Sequence, residues 1–154
     1  MRFVAFLVLV LLLCPMWSGA QGSKKPRFDV TVESTMGFDQ TIEALKMAAS
    51  AEKYGFQGRH DVSDTLAKKG FPRERLVVLE FCNPKNAAAA LEEDIAVGLM
   101  IPCPIMVWQK GSKVMVSTMD ARMMGMMFQG KKMESIGKSV AADLRRIMSV
   151  IEKK

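Results

Sequence analysis

Apolar and polar positions along the chain follow two periods, and the switches between them mark the elements. Phe28, Val30 and Val32 alternate with Asp29, Thr31 and Glu33, the period of two of a half-buried strand. Ser34 or Thr35 then supplies a cap for a helix in which Phe38, Ile42, Leu45 and Ala49 recur at helical spacing to about Lys53. Gly55 stands where that helix would end through a left-handed residue. Phe56 to Val62 reads as a second strand, weakened by Gly58, and Ser63 or Asp64 starts a short helix ending at Gly70. Leu76 to Cys82 is apolar and flanked by charge and proline, as a buried strand is. Asn83 caps the next helix, Pro84 takes its first position, where a missing N–H costs nothing, and Lys85 to Glu93 supplies good helix formers. Cys103 opens another strand, Ile105 to Gln109, which Gly111-Ser112 joins to the strand Lys113 to Thr118 as a tight hairpin. Finally Ile136, Val140, Leu144, Ile147 and Ile151 form one apolar stripe opposite Lys138, Arg145, Arg146 and Lys153, a helix that packs on a sheet face.

These elements predict an α+β fold: one mostly antiparallel sheet with helices packed on it, in the order strand, helix, four strands, helix, with a helical excursion between the two cysteine strands. The direction of those two strands decides what Cys82 and Cys103 can do. Parallel strands would hold the thiols at opposite ends, roughly 20 Å apart. Antiparallel neighbours bring the end of one strand beside the start of the other, within reach of the Cα separation of about 7 Å that a disulfide tolerates. The hairpin favours the antiparallel arrangement.

The N-terminus changes the picture of where this domain works. Arg2, the apolar run Phe3 to Leu13 and the small residues Ser18-Gly19-Ala20 have the layout of an export signal, cleaved after residue 20. The run is shorter than the roughly 20 residues of a membrane-spanning helix, so no stable span is expected after cleavage. Cys14 follows the bulky Leu13, which argues against lipid attachment there. Residues 21–27 read as a flexible lead-in and 28–154 as a single domain, so the protein is expected to be exported, periplasmic or secreted, in a bacterium. The net charge of +6 is scattered in pairs such as Lys131-Lys132, with no interleaved aromatics, so a nucleic-acid partner is not expected.

Candidate chemistry centres on sulfur. In an oxidising compartment the plain expectation is a structural Cys82–Cys103 disulfide closing a loop of about 20 residues, worth roughly 3 kcal/mol. The alternative is a reactive or ligating pair. Cys82 immediately precedes a helix N-terminus, whose dipole favours a thiolate, and Cys103 lies between Pro102 and Pro104, which stiffen the backbone around its sulfur. Such a pair suits redox exchange or the ligation of a soft metal or haem iron, although two sulfurs alone under-fill a zinc site. Asn83 and Pro102, beside the cysteines, complete the candidate ligand-binding set. Among 14 methionines, Met119, Met123, Met126 and Met127 fall at helical spacing with Met124 beside them. Thioethers select Cu(I), so Met123 and Met126 are candidate copper ligands with the cysteines, while a stripe of this kind more commonly packs a core or a dimer surface. His60, the single histidine, lies between Arg59 and Asp61 in what reads as an exposed turn, and Glu92, Glu93 and Asp94 read as a solvated cluster at a helix end. Trp108 could floor a pocket near the thiols or pack in the core.

Gly55-Phe56, Asp61-Val62 with Thr65-Leu66 and Gly70, then Phe81-Cys82-Asn83-Pro84, Ala87 and Gly98-Leu99-Met100-Ile101-Pro102-Cys103 together resemble domain of unknown function family 302. The resemblance runs from about Phe28 to Val150, and the Cys-Asn-Pro and Pro-Cys elements in that order are its most specific parts. It implies a small α+β fold similar to the TATA-box-binding protein and often a homodimer, and it brings no established activity; the fold likeness carries no inference of DNA binding. Pro104 departs from the polar or basic residue that similar sequences tend to have after the cysteine.

Three readings therefore stay open. One is a binding module holding a metal, copper or haem, or a sulfur-containing ligand at Cys82 and Cys103. Another is a thiol redox enzyme with Cys82 attacking and Cys103 resolving. A third is a disulfide-stabilised scaffold without chemistry. No acid, base or Cys-X-X-Cys motif accompanies the pair, so no catalytic residue is assigned and the balance leans away from an enzyme.

Overall fold

The computed structural model describes residues 27–152, so the expected signal and most of the lead-in lie outside the described residues. Five strands form one sheet: β1 (Asp29–Ser34), β2 (Gly55–Asp61), β3 (Leu76–Cys82), β4 (Cys103–Lys110) and β5 (Lys113–Met119), ordered β1-β5-β4-β3-β2 with every neighbouring pair antiparallel. Five α-helices accompany them: α1 (Phe38–Ala51), α2 (Val62–Ala67), α3 (Pro84–Glu93), α4 (Met124–Met127) and α5 (Met133–Ser149), with 3-10 turns at Ile95–Met100 and Ala121–Met123. Order and sheet match the expected α+β architecture. Alternation sorts the sheet residues. Val77, Leu79 and Phe81 of β3, Ile105 and Val107 of β4 and Val116 of β5 are buried, and they share one core with Ile42 and Leu45 of α1 and Val140, Leu144 and Ile147 of α5. Burying each such side chain stabilises the fold by roughly 1.5–3 kcal/mol.

Local chemistry departs from expectation at both ends of α1. The cap is Gly37 rather than Ser34 or Thr35: its N–H donates to Gln40 Oε1 at 3.3 Å, while the Ser34 hydroxyl turns inward, 2.7 Å from that of Thr41. At the other end Lys53, not Gly55, takes the left-handed conformation, with φ of 63°. The amide of Tyr54 then donates to the Ala49 carbonyl at 2.8 Å, closing the helix. Gly55 becomes the first residue of β2, opposite Cys82, and a bulge falls between Phe56 and Gly58. Phe28 lies just before β1 and is 62% exposed rather than facing the core.

Trp108 points to the sheet face away from the core. Its Nε1 donates to the Ser117 hydroxyl at 3.0 Å, which is 2.8 Å from that of Thr31, and it lines a shallow hollow with Phe28, Met106 and Pro104. It does not floor the cysteine site, because its register puts it on the opposite parity from Val107. The expected methionine stripe is not one helix either. Met119 ends β5, Met123 closes a 3-10 turn, and α4 is a single turn carrying Met124, Met126 and Met127. Gly137 explains how this segment is held. A Cβ there would lie 2.4 Å from the Ala121 carbonyl oxygen, so a glycine is needed for α5 to pass so close.

Candidate functional site

β3 and β4 pair antiparallel with Phe81 opposite Cys103, so Cys82 and Cys103 stand at the same rim of the sheet. They are not directly opposed: Cys82 pairs with Gly55 on its other side, and it is Phe81 that faces Cys103. The two sulfurs are not bonded to one another. At this rim the chain leaves β3 for α3. Asn83 makes the turn because its Oδ1 accepts from the amides of Lys85 and Asn86 at 3.1 and 3.2 Å, and Pro84 needs no partner for a missing N–H. The chain then returns over the rim through Ile95–Met100 and a cis Ile101–Pro102 bond into Cys103.

Both cysteines line one apolar cavity of about 50 Å³. Asn86, Ala87 and Ala90 form its wall on one face of α3, and Ile136, Val140 and Leu144 its wall on α5, four residues apart. The alanines of the low-complexity run are what leave the space. Three thioethers complete the lining: Met100, Met119 and Met124. Of the other residues expected here, Asn83 borders the cavity with its side chain spent on the cap, while Pro102, Met123 and Met126 do not border it, and Met126 is 78% exposed. Cys82 and Tyr54 also border an open hollow that includes Ser50, Gln57 and Pro84, so Cys82 lies between cavity and solvent.

The cavity has a polar floor that sequence reading did not find. The Tyr54 hydroxyl donates to Asp143 Oδ2 at 3.0 Å, and Asn86 Nδ2 donates to the Tyr54 oxygen at 3.1 Å and to Asp143 Oδ2 at 3.2 Å. Arg146 donates to Asp143 Oδ1 and, at 2.9 Å, to Glu52 Oε2. Tyr54 is 1% exposed; burial first, and the charge of Asp143, push its phenol above the ordinary value, against the hydrogen bond from Asn86. Burial, and then the neighbouring Cys82, push the Cys103 thiol up to about 11. Among the described residues no buried side-chain nitrogen or oxygen lacks a partner. The floor's hydrogen bonds run among Tyr54, Asn86 and Asp143, and the two cysteines are the reactive thiols of the lining. Tyr54 is the single tyrosine and could have been singled out on that ground; Asn86 and Asp143 carry no pattern that links them along the chain.

The remaining candidates lie elsewhere. His60 is on the edge strand β2 rather than in a turn, exposed, with Nε2 3.2 Å from Glu80 Oε2. Glu93 and Asp94 are more than a solvated cluster: Glu93 accepts from the Lys132 amide at 3.1 Å and Asp94 from the Gln129 amide at 2.9 Å, tying the segment before α5 to the end of α3. Among the described residues no three His, Cys, Asp or Glu side chains gather as a metal-holding group, and no helix is long and apolar enough to cross a membrane.

Comparison with known proteins agrees with the fold. The sequence profile of the family described as Domain of unknown function DUF302 matches residues 30–151. The crystal structure of an uncharacterized conserved DUF302 protein from Bacillus stearothermophilus aligns with a TM-score of 0.77 and 27% sequence identity, over 82% of this chain and 100% of that one. No curated protein matches the chain.

Proposed function

The chain belongs to the DUF302 family, a domain of unknown function, and because that membership carries no activity we propose one from the site itself: a binding module that holds a small thiophilic ligand between Cys82 and Cys103. The observation that carries this reading is the shared cavity, whose lining is apolar apart from Tyr54 and two asparagines and includes both cysteines. Redox exchange is less well supported. No general base or Cys-X-X-Cys motif accompanies the pair, and burial holds the proton on Cys103, the resolving thiol of that reading. Haem is not the ligand proposed, since cofactor pockets are on the order of 300–1,000 Å³. Export after removal of residues 1–20, to the periplasm or medium, and a homodimer are part of the same proposal. The proposed dimer surface is the sheet face without helices, where Trp108 and Met106 are half-buried and Phe28 is exposed.

Phenylarsine oxide tests the paired site, because arsenic(III) loses its oxygen as water when two neighbouring thiols each give it a proton and form two As–S bonds. One adduct per chain is expected, with both thiols protected from alkylation, and it should be lost in Cys82→Ser and in Cys103→Ser. Two independently reactive thiols and no bridged adduct would overturn the reading.

A further inference from the structure

We infer that the ligand is Cu(I), bound by Cys82 and Cys103 together with the thioethers of Met119 and Met124, and not by Met123 or Met126. This rests on the paired-thiol reading and names its ligand. Five sulfur-bearing residues line a cavity of about 50 Å³: Cys82, Cys103, Met100, Met119 and Met124. That volume admits an ion or a few atoms. The donor set then selects among ions. Harder or borderline metals want carboxylate, imidazole or a fuller set of thiolates, and no such group of three gathers among the described residues. Thiolates with thioethers are the soft donors that favour Cu(I).

The positions of the methionines support the choice. Met119 is the last residue of β5 and Met124 the first of α4, and both border the cavity that the two cysteines line, Met119 also bordering the hollow around Trp108. Met124 is 6% exposed and lines the cavity, so the residue that packs the core also borders this space. Met126, two residues on in a one-turn helix, points to solvent.

Binding requires no change of oxidation state. Each thiol releases its proton to solvent and donates a sulfur lone pair to Cu⁺, while the thioethers bind as neutral donors. A site with both thiolates carries a net charge of −1, beside the N-terminal end of α3, where the helix dipole favours negative charge.

The experiment is an anaerobic titration of the reduced chain with Cu(I) against bicinchoninate as a competing chelator. One Cu(I) per chain is expected. Affinity should fall at least 100-fold in Cys82→Ser and in Cys103→Ser, and tenfold or more in Met119→Leu with Met124→Leu, while Met123→Leu with Met126→Leu leaves it unchanged. Met→Leu conserves volume, and a thermal melt of each variant reports whether it folds. X-ray absorption of the wild-type complex, which needs no variant, should show sulfur alone around copper. Nitrogen or oxygen in that shell, or equal affinity in the two methionine double variants, would overturn the inference. If the arsenical adduct forms while Cu(I) is not retained, the copper assignment alone falls. If the adduct also fails, the paired-thiol reading falls with it.

Discussion

Cys103 is where burial changes chemistry most directly. Its thiol is pushed up to about 11 from an ordinary value near 9 by desolvation first and by Cys82 second. A folded value above the unfolded one means that the native state holds its proton more tightly. The associated stability is complete below pH 9 and is lost as pH rises toward 11, by roughly 1.4 kcal/mol per pH unit. Urea midpoints of the wild type and Cys103→Ala, compared from pH 8 to pH 11, should therefore converge as pH rises. A constant gap between them would show that the thiol titrates normally. Tyr54 is perturbed in the same direction and for the same first reason, with its hydroxyl held by Asp143 and Asn86.

Secondary-structure ends, more than interiors, position the cysteines. Asn83 holds α3 against Cys82, and Lys53 ends α1 one residue before Tyr54. A left-handed lysine is strained by its Cβ, at roughly 1–2 kcal/mol, and glycine escapes that strain while losing more chain entropy on folding. Lys53→Gly should raise stability by about 1 kcal/mol or less, read as a higher urea midpoint at unchanged slope; a lower midpoint would place the strain elsewhere. The sequence suggested Gly55 for this role because glycine commonly follows a helix. Pairing decided otherwise. Gly55 instead stands in β2 opposite Cys82, and the helix closes two residues earlier. Asn83-Pro84, by contrast, was legible, because an N-cap and its following proline act within one turn and need no tertiary partner.

At the scale of the molecule, one sheet face carries helices and the other leaves Trp108, Met106 and Phe28 around a shallow hollow. The proposed homodimer would cover that face. Sedimentation velocity should return twice the mass of the mature chain, and Trp108→Glu should return a monomer by placing a charge in a desolvated contact. A monomeric wild type, or a dimer indifferent to Trp108→Glu, would remove this surface from the proposal.

Sequence by itself determined the order of elements, the antiparallel hairpin and the two cysteines at strand ends, because periodicity, capping and turn chemistry are local and repeat at fixed spacing. It also placed the sulfurs on one rim once the strands were taken as antiparallel neighbours. Only the tertiary structure decided what surrounds them. Met119 and Met124 rather than Met123 and Met126 reach the cavity, and Tyr54, Asn86 and Asp143 meet beneath it from α1's end, α3 and α5. Those meetings depend on how helices cross the sheet and how closely Gly137 lets α5 approach Ala121, distances that no spacing along the chain encodes.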